Sequence, residues 1–430
     1  VGAPRKRSAS RLNVDEHLEE LARLVDTAGA EVVGTLTQAV DRPHPGTYLG
    51  SGKLEELGVR IGALGATLIV FDDELSPAQA RNIEQATSTR VMDRAELILD
   101  IFATRARSAE ARMQVELAQL EYTLPRLTRM WTHLDTYKGG IGMRGPGETQ
   151  LETDRRLIQH RIKVIKERLV DVDRAREVQR RQRTHQFKVA LVGYTNAGKS
   201  SILRALAGDG TVFVEDRLFA TLDPLTREVD VGEGYTVLLT DTVGFIRKLP
   251  HHLVASFRAT LAEAREADLL LHVVDVSHPS WEEHRVVVDE VLADLGLQAR
   301  PTRLVCNKMD AVPDAERGGL EERVHNLVPG ALFVSAHTAA GLEPLREALV
   351  EAIRRQRPLV SLRLAAHQGA MLASLHREGE VVEQHADGAD LVVTARVDER
   401  LAGRLRQAGV AIEPAVSETA MSETAAPVPE

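Results

Sequence analysis

The chain has 430 residues, 43% of them hydrophobic and 27% charged, and a formal net charge of −9. That length provides for several domains, and the acidic balance excludes a protein whose whole surface coats nucleic acid. A single cysteine, Cys306, excludes an internal disulfide framework and fits a reducing, cytoplasmic setting, while no apolar run approaches the roughly 20 residues that span a bilayer.

Residues 1–13 read as a flexible basic leader without the apolar core of a signal peptide. Residues 14–103 read as a small N-terminal α/β domain, with helices over Leu18–Ala28 and Pro77–Ala86 and strands over Val32–Leu36 and Leu68–Phe71. Within it, Gly50-Ser-Gly-Lys53 looks superficially like a phosphate loop. It lacks the earlier glycine, and Leu54 stands where a hydroxyl is needed, so it reads as a turn before a helix. Over residues 104–185 the apolar spacing becomes helical, through Met113, Leu117, Leu120, Leu124, Leu127, Trp131 and Leu134, with a kink expected at Pro125. Ile158, Ile162, Ile165, Leu169 and Val172 repeat that spacing. The glycine-rich stretch 139–147 between them cannot be helical, so the segment reads as a long antiparallel helical hairpin with a tip loop. Residues 155–183 carry eleven Lys or Arg against four Asp or Glu, which makes one arm basic. Residues 186–357 alternate strand and helix patterns, as a parallel-sheet α/β domain does. Residues 358–412 read as a smaller α/β domain with strands at Val360–Leu364 and Leu391–Ala395, and the acidic, proline-bearing stretch 413–430 as a disordered tail.

The apolar strand Phe187–Val192 runs directly into Gly193-Tyr194-Thr195-Asn196-Ala197-Gly198-Lys199-Ser200, followed by Ser201 and a helical pattern. Strand, G-x-x-x-x-G-K-[ST] loop and helix in that order form a phosphate cradle, in which Lys199 reaches the β- and γ-phosphates and the Ser200 hydroxyl ligates Mg²⁺. Asp241-Thr242-Val243-Gly244 follows the strand Val237–Thr240. Asp241 would hold the metal through its second shell, and the Gly244 amide would meet the γ-phosphate. Asn307-Lys308-Met309-Asp310 follows the strand Arg303–Cys306. The Asp310 carboxylate can accept from N1–H and the exocyclic amine of guanine, whereas adenine would leave it unpaired. Ser335-Ala336-His337 follows a further strand and offers its backbone to the guanine O6. The switch segment Leu218-Phe219-Ala220-Thr221-Leu222-Asp223 supplies Thr221 as the second metal ligand, with Thr211 and Thr226 as competitors. These motifs read as a guanine-nucleotide site that hydrolyses GTP, with Lys199, Thr221, Asp241 and Gly244 carrying the reaction. Phe245 stands directly after D-x-x-G, where Ras-like enzymes have a water-orienting glutamine. Slow intrinsic hydrolysis, accelerated by a partner, is expected.

Four strings together resemble the HflX GTPases: Gly139-Gly-Ile-Gly-Met-Arg-Gly-Pro-Gly-Glu-Thr-Gln-Leu-Glu152, the switch segments Leu218–Pro224 and Asp241–Phe245, and Gly46–Glu56 of the N-terminal domain. One departure is Leu225, which follows Asp223-Pro224 where that family leads one to expect threonine; it makes Thr226 a less clear equivalent of its counterpart. The resemblance implies a translation-type GTPase that binds the large (50S) ribosomal subunit and splits stalled or idle 70S ribosomes; a cytoplasmic monomer is expected. The resemblance also implies that the glycine-rich tip reaches towards the peptidyl transferase centre. RNA contacts are then expected at Gly139, Gly140, Gly142, Arg144, Gly145, Arg155, Arg156 and Arg161. A signalling or scaffold GTPase, and an ATP-dependent RNA-remodelling factor centred on the N-terminal domain, stay open beside this reading.

Overall fold

The computed structural model describes residues 1–2, 14–127, 146–181, 186–208, 215, 217–249, 262–338, 340–365 and 367–415. The leader 3–13, Thr211, the adjacent His251 and His252, the tip residues 139–145 and the tail from 416 therefore lie outside the described residues. The chain forms two compact units, Val1–Asp230 with Thr236–Leu342, and Val231–Tyr235 with Glu343–Glu430.

The first unit begins with α1 (Val14–Thr27), α2 (Ser51–Leu64), β1 (Leu68–Phe71), α3 (Pro77–Thr87), β2 (Arg90–Asp93) and α4 (Arg94–Arg105). Leu21, Leu24 and Val25 form the buried stripe of α1. Ser76 and Gln79 make a capping box at the start of α3, with Pro77 in its first turn. As a crossover requires, β1 and β2 pair in parallel. The Gly50-Ser-Gly-Lys53 string is a helix start: Gly50 is the N-cap of α2, and Lys53 pairs with Glu56 at 2.9 Å. One expected strand is missing. Val32–Leu36 joins no ladder, and Val32 and Val33 are 42% and 48% exposed. Strand preference reflects packing on a half-buried pleated surface, which these valines lack.

The helical run is interrupted at residues 106–108, after which α5 (Ala109–Thr123) starts on Ser108. A 3₁₀ turn, Leu124–Arg126, holds Pro125 where a kink was expected. Alongside α5 lies α6 (Pro146–Arg181), with Ile165 buried and Arg161–Glu116 (2.6 Å) and Lys166–Glu121 (2.7 Å) pairing across.

Next come β3 (Phe187–Gly193), α7 (Lys199–Ala207), β4 (Leu225–Gly232), β5 (Tyr235–Asp241), α8 (Ala262–Glu266), β6 (Leu269–Asp275), α9 (Trp281–Asp294), β7 (Thr302–Asn307), α10 (Asp314–Leu327) and β8 (Leu332–Phe333). The six strands lie in the order β4-β5-β3-β6-β7-β8, with β5, β3, β6, β7 and β8 parallel. Central β3 and β6 are near-continuous apolar runs because both sheet faces are covered.

The second unit takes α11 (Glu343–Gln356), which the sequence pattern groups with the preceding domain. It continues with β9 (Leu359–Ala365), α12 (Gly369–Glu378), β10 (Glu380–Asp387), β11 (Asp390–Arg396), α13 (Glu399–Gln407) and β12 (Ala411–Pro414), in an antiparallel sheet ordered β10-β11-β9-β12. Glu413 and Pro414, read from composition as the start of a disordered tail, are the end of β12. An edge strand tolerates proline because its outer N–H needs no partner. Strands β10 and β12 escape the alternation rule because their residues are mostly exposed.

Candidate active site

The motif loops leave the carboxyl ends of β3, β5, β7 and β8, where open α/β sheets place their ligands. Two glycines of the Gly193–Ser200 loop are required by geometry. A Cβ on Gly193 would lie 2.2 Å from the Val273 carbonyl oxygen, and one on Gly198 (φ +92°) 2.1 Å from Asn307 Nδ2. Asn307 is 1% exposed; its amide donates to the Ala197 carbonyl at 3.0 Å, and its Oδ1 accepts from the Ala336 N–H at 3.3 Å. It braces the phosphate loop against the base loops rather than facing the groove.

Lys199 is buried and donates to the Gly193 and Tyr194 carbonyls at 3.2 and 2.9 Å. Burial lowers its pKa to about 8, against the pull of Asp241. The Asp241 carboxyl is itself pushed up by burial, with Lys199 opposing. Ser200 Oγ donates to Asp241 Oδ2 at 2.6 Å and lies 2.8 Å from Thr221 Oγ1. Asp241 Oδ1 is buried and makes no hydrogen bond. Two hydroxyls and a carboxylate with a spare oxygen are the hard donor set that suits Mg²⁺. Among the described residues no group of three or more His, Cys, Asp and Glu could hold a metal ion instead. Thr226 is engaged elsewhere, 2.9 Å from Thr240 Oγ1, so of these two candidates it is Thr221 that lies beside Ser200.

At the base end, Ser335 Oγ donates to Asp310 Oδ1 at 2.6 Å and accepts from the His337 N–H at 3.3 Å. Lys308, in a left-handed turn (φ +66°), pairs with Asp275 at 2.6 Å. A groove of about 360 Å³ collects Asn196, Lys199, Ser200, Ser201, Thr221, Lys308, Asp310 and His337. Thr195, Gly198, Phe219, Ala220, Thr242 and Gly244 also form its wall, whereas the expected Gly193, Ala197, Asp241, Ser335 and Ala336 lie behind it rather than on it. Glu215, Arg217 and Ala311 also line it. No motif marks the first two, and Ala311 lies one residue beyond N-K-x-D.

Several expected nucleotide contacts point elsewhere. Leu222 and Val243 are core residues, and Met309 packs against the apolar cluster around Trp281. The Tyr194 hydroxyl donates to Glu20 of α1 and accepts from the Arg247 N–H at 3.0 Å. Its ring stacks on His284 at 3.9 Å. The Asp223 carboxylate turns towards the start of α5. Gly244 presses on the phosphate loop so closely that a Cβ would lie 2.7 Å from Thr195 Cα. Phe245 is 1% exposed; its N–H donates to the Gly193 carbonyl at 3.0 Å and its carbonyl accepts from Thr195 N–H at 2.7 Å. The ring belongs to the core and directs no water.

One apolar core joins α1, α4 and α5 to the nucleotide loops, combining Leu24, Ile98 and Phe102 with Leu218, Phe219 and Phe245. A polar network, buried at Arg94 and Asp72 and exposed at Lys248, crosses the same boundary. Arg94 pairs with Glu20 and with Asp72 (2.9 Å), and Lys248 meets Asp72 and Asp73, both at 2.6 Å. Burial alone would raise the Glu20 carboxyl, but Arg94, Arg247 and the Tyr194 hydroxyl outweigh it and hold its pKa below the ordinary value.

Three family models match the chain: "GTP-binding GTPase N-terminal" over residues 15–103, "GTP-binding GTPase Middle Region" over 105–183 and "50S ribosome-binding GTPase" over 188–308. The GTPase HflX of Flavobacterium psychrophilum is 47% identical, covering 80% of this chain and 87% of its own. That of Caldanaerobacter subterraneus is 45% identical over 91% of this chain and 90% of its own, and that of Escherichia coli 45% over 84% and 85%. With the nucleotide motifs assembled around one groove and such identity along most of its length, the chain belongs to the HflX family of GTPases.

Proposed function

We propose that this GTPase acts in the cytoplasm as a monomer that docks on the large (50S) ribosomal subunit and separates stalled or idle 70S ribosomes into subunits. The observation that carries the reading is the basic helix α6: Arg161 and Lys166 tie it to α5, while Arg155, Arg156, Lys163 and Arg168 stay exposed along it. Such a row suits RNA phosphates. The tip segment with Gly139, Gly140, Gly142, Arg144 and Gly145 continues this arm in sequence. The ribosome-binding description of the family model over residues 188–308 supports the same partner.

Ser200 and Thr221 would hold Mg²⁺ with GTP, and the ion, when bound, would neutralise charge on the phosphates. Lys199 holds the phosphate chain, the Gly244 amide meets the γ-phosphate, and Asp310, oriented by Ser335, reads guanine. With Phe245 buried, the position after D-x-x-G offers no polar group to orient the attacking water, so turnover is slow alone and rises on the ribosome. The test is sedimentation of 70S ribosomes with the protein and GTP, GDP or a non-hydrolysable GTP analogue. Conversion to separate subunits with the analogue is expected; 70S particles that stay intact with all three nucleotides would overturn the proposal.

A further inference from the structure

The switch segment is fastened at both ends to the helices that precede the GTPase sheet. On one side Phe219 (φ +56°) packs edge-on against Phe102 of α4, ring centroids 4.7 Å apart, and its N–H donates to Thr195 Oγ1 at 2.9 Å. Arg105, at the end of α4, pairs with Glu215 at 2.6 Å. On the other side the Asp223 carboxylate accepts from the Arg107 and Ser108 N–H groups at 3.1 and 3.2 Å and from the Ser108 hydroxyl. Ser108 is itself the N-cap of α5, accepting from the Ala111 N–H at 3.0 Å. A carboxylate in that position satisfies N–H groups at the head of a helix and is favoured by its dipole. Thr221 lies midway between the two fastenings, 2.8 Å from Ser200.

We infer that Asp223 is a positioning residue: by seating the head of α5, it holds Thr221 over the metal-binding hydroxyl of Ser200. Asp223 touches no nucleotide in this role. It acts through two residues of backbone, and α5 is the other end of the lever. Because α5 is also the helix on which basic α6 lies, a displacement of that arm reaches Thr221 through this carboxylate. The inference rests on the reading of Thr221 as a metal ligand engaged when a γ-phosphate is present.

The predicted signature is selectivity between nucleotide states. Ser108→Ala in the full-length chain should weaken Mg²⁺-dependent binding of a non-hydrolysable GTP analogue about tenfold, the worth of a hydrogen bond to a charged group. Its affinity for Mg²⁺–GDP should be unchanged. Ser108→Thr, which keeps the hydroxyl, should restore analogue binding. Asp223→Asn should lose analogue affinity as Ser108→Ala does, and the double variant should lose no more than either alone. Equal losses for GDP and the analogue, or no loss for either, would overturn the inference. Thr221→Ala is the separate control: unchanged analogue binding in that variant would remove the metal-ligand reading itself. A loss there with none in Ser108→Ala would remove only the role of Asp223.

Discussion

Asp310 illustrates how one side chain sets base choice. Its carboxylate is held by the Ser335 hydroxyl at 2.6 Å, so it meets the base in a fixed orientation. Asp310→Asn replaces one acceptor oxygen with a donor, which faces the exocyclic amine of guanine donor to donor. Xanthine carries a carbonyl at that position. The variant should therefore lose about a hundredfold in GTP affinity, the scale of a polar contact left unpaired beneath the bound base. It should gain affinity for xanthosine triphosphate. Competition binding with both nucleotides measures this, and a variant that retains its GTP preference would contradict the assignment. At this scale the sequence was highly legible. Gly198, Lys199, Ser200 and Asp310 follow from motif chemistry and line one groove, with Asp241 buried directly behind Ser200. Tyr194 and Asp223 sit inside the same motifs yet turn away from the groove, because their partners, Glu20 and Ser108, lie more than a hundred residues earlier. Spacing within a motif carries no record of such partners.

Among the elements, α9 contributes an acid-sensitive contact. His284 stacks on the Tyr194 ring and is held neutral: burial and then His278 lower its pKa from 6.5 to about 4, against Glu20 and Asp275, while Arg247 adds to the lowering. The unfolded chain takes up a proton at this position as pH falls below about 6.5, whereas the folded chain does so only near 4. Stability therefore falls with acidification through that window and is unaffected above it. His284→Phe keeps a stacked ring and removes the proton. Its melting temperature should drop less than that of the parent chain between pH 7 and pH 5; parallel slopes would exclude His284 as the source. Element types were read well where an apolar period was strong, as for Leu68–Phe71, α3 and β3. They were lost where exposure broke the pattern: Val32–Leu36 is no strand, β10 carries no signal that marks it, and the end of β12 reads as a tail.

For the whole molecule, charge distribution matters more than net charge. The chain is acidic overall, yet α6 carries its basic residues as an exposed row. Replacing Arg155, Arg156 and Arg161 with Glu should abolish co-sedimentation with ribosomal subunits and leave GTP binding intact. Retained co-sedimentation would refute a role for this face. Arg161 will cost more than its neighbours because it already pairs with Glu116, a partner that only the folded arrangement reveals. The shared core of α1, α4 and the nucleotide loops also has a consequence for how the chain is made. Glu20 and Tyr194 are 174 residues apart, and synthesis at about 5–20 residues per second separates their emergence by roughly 10–35 s. Arg94 emerges only 74 residues after Glu20, so for the later part of that interval it is available as a counter-charge. The early helices can therefore settle their buried carboxylate before the nucleotide loops exist, and the finished phosphate loop arrives at a surface already neutralised to receive it.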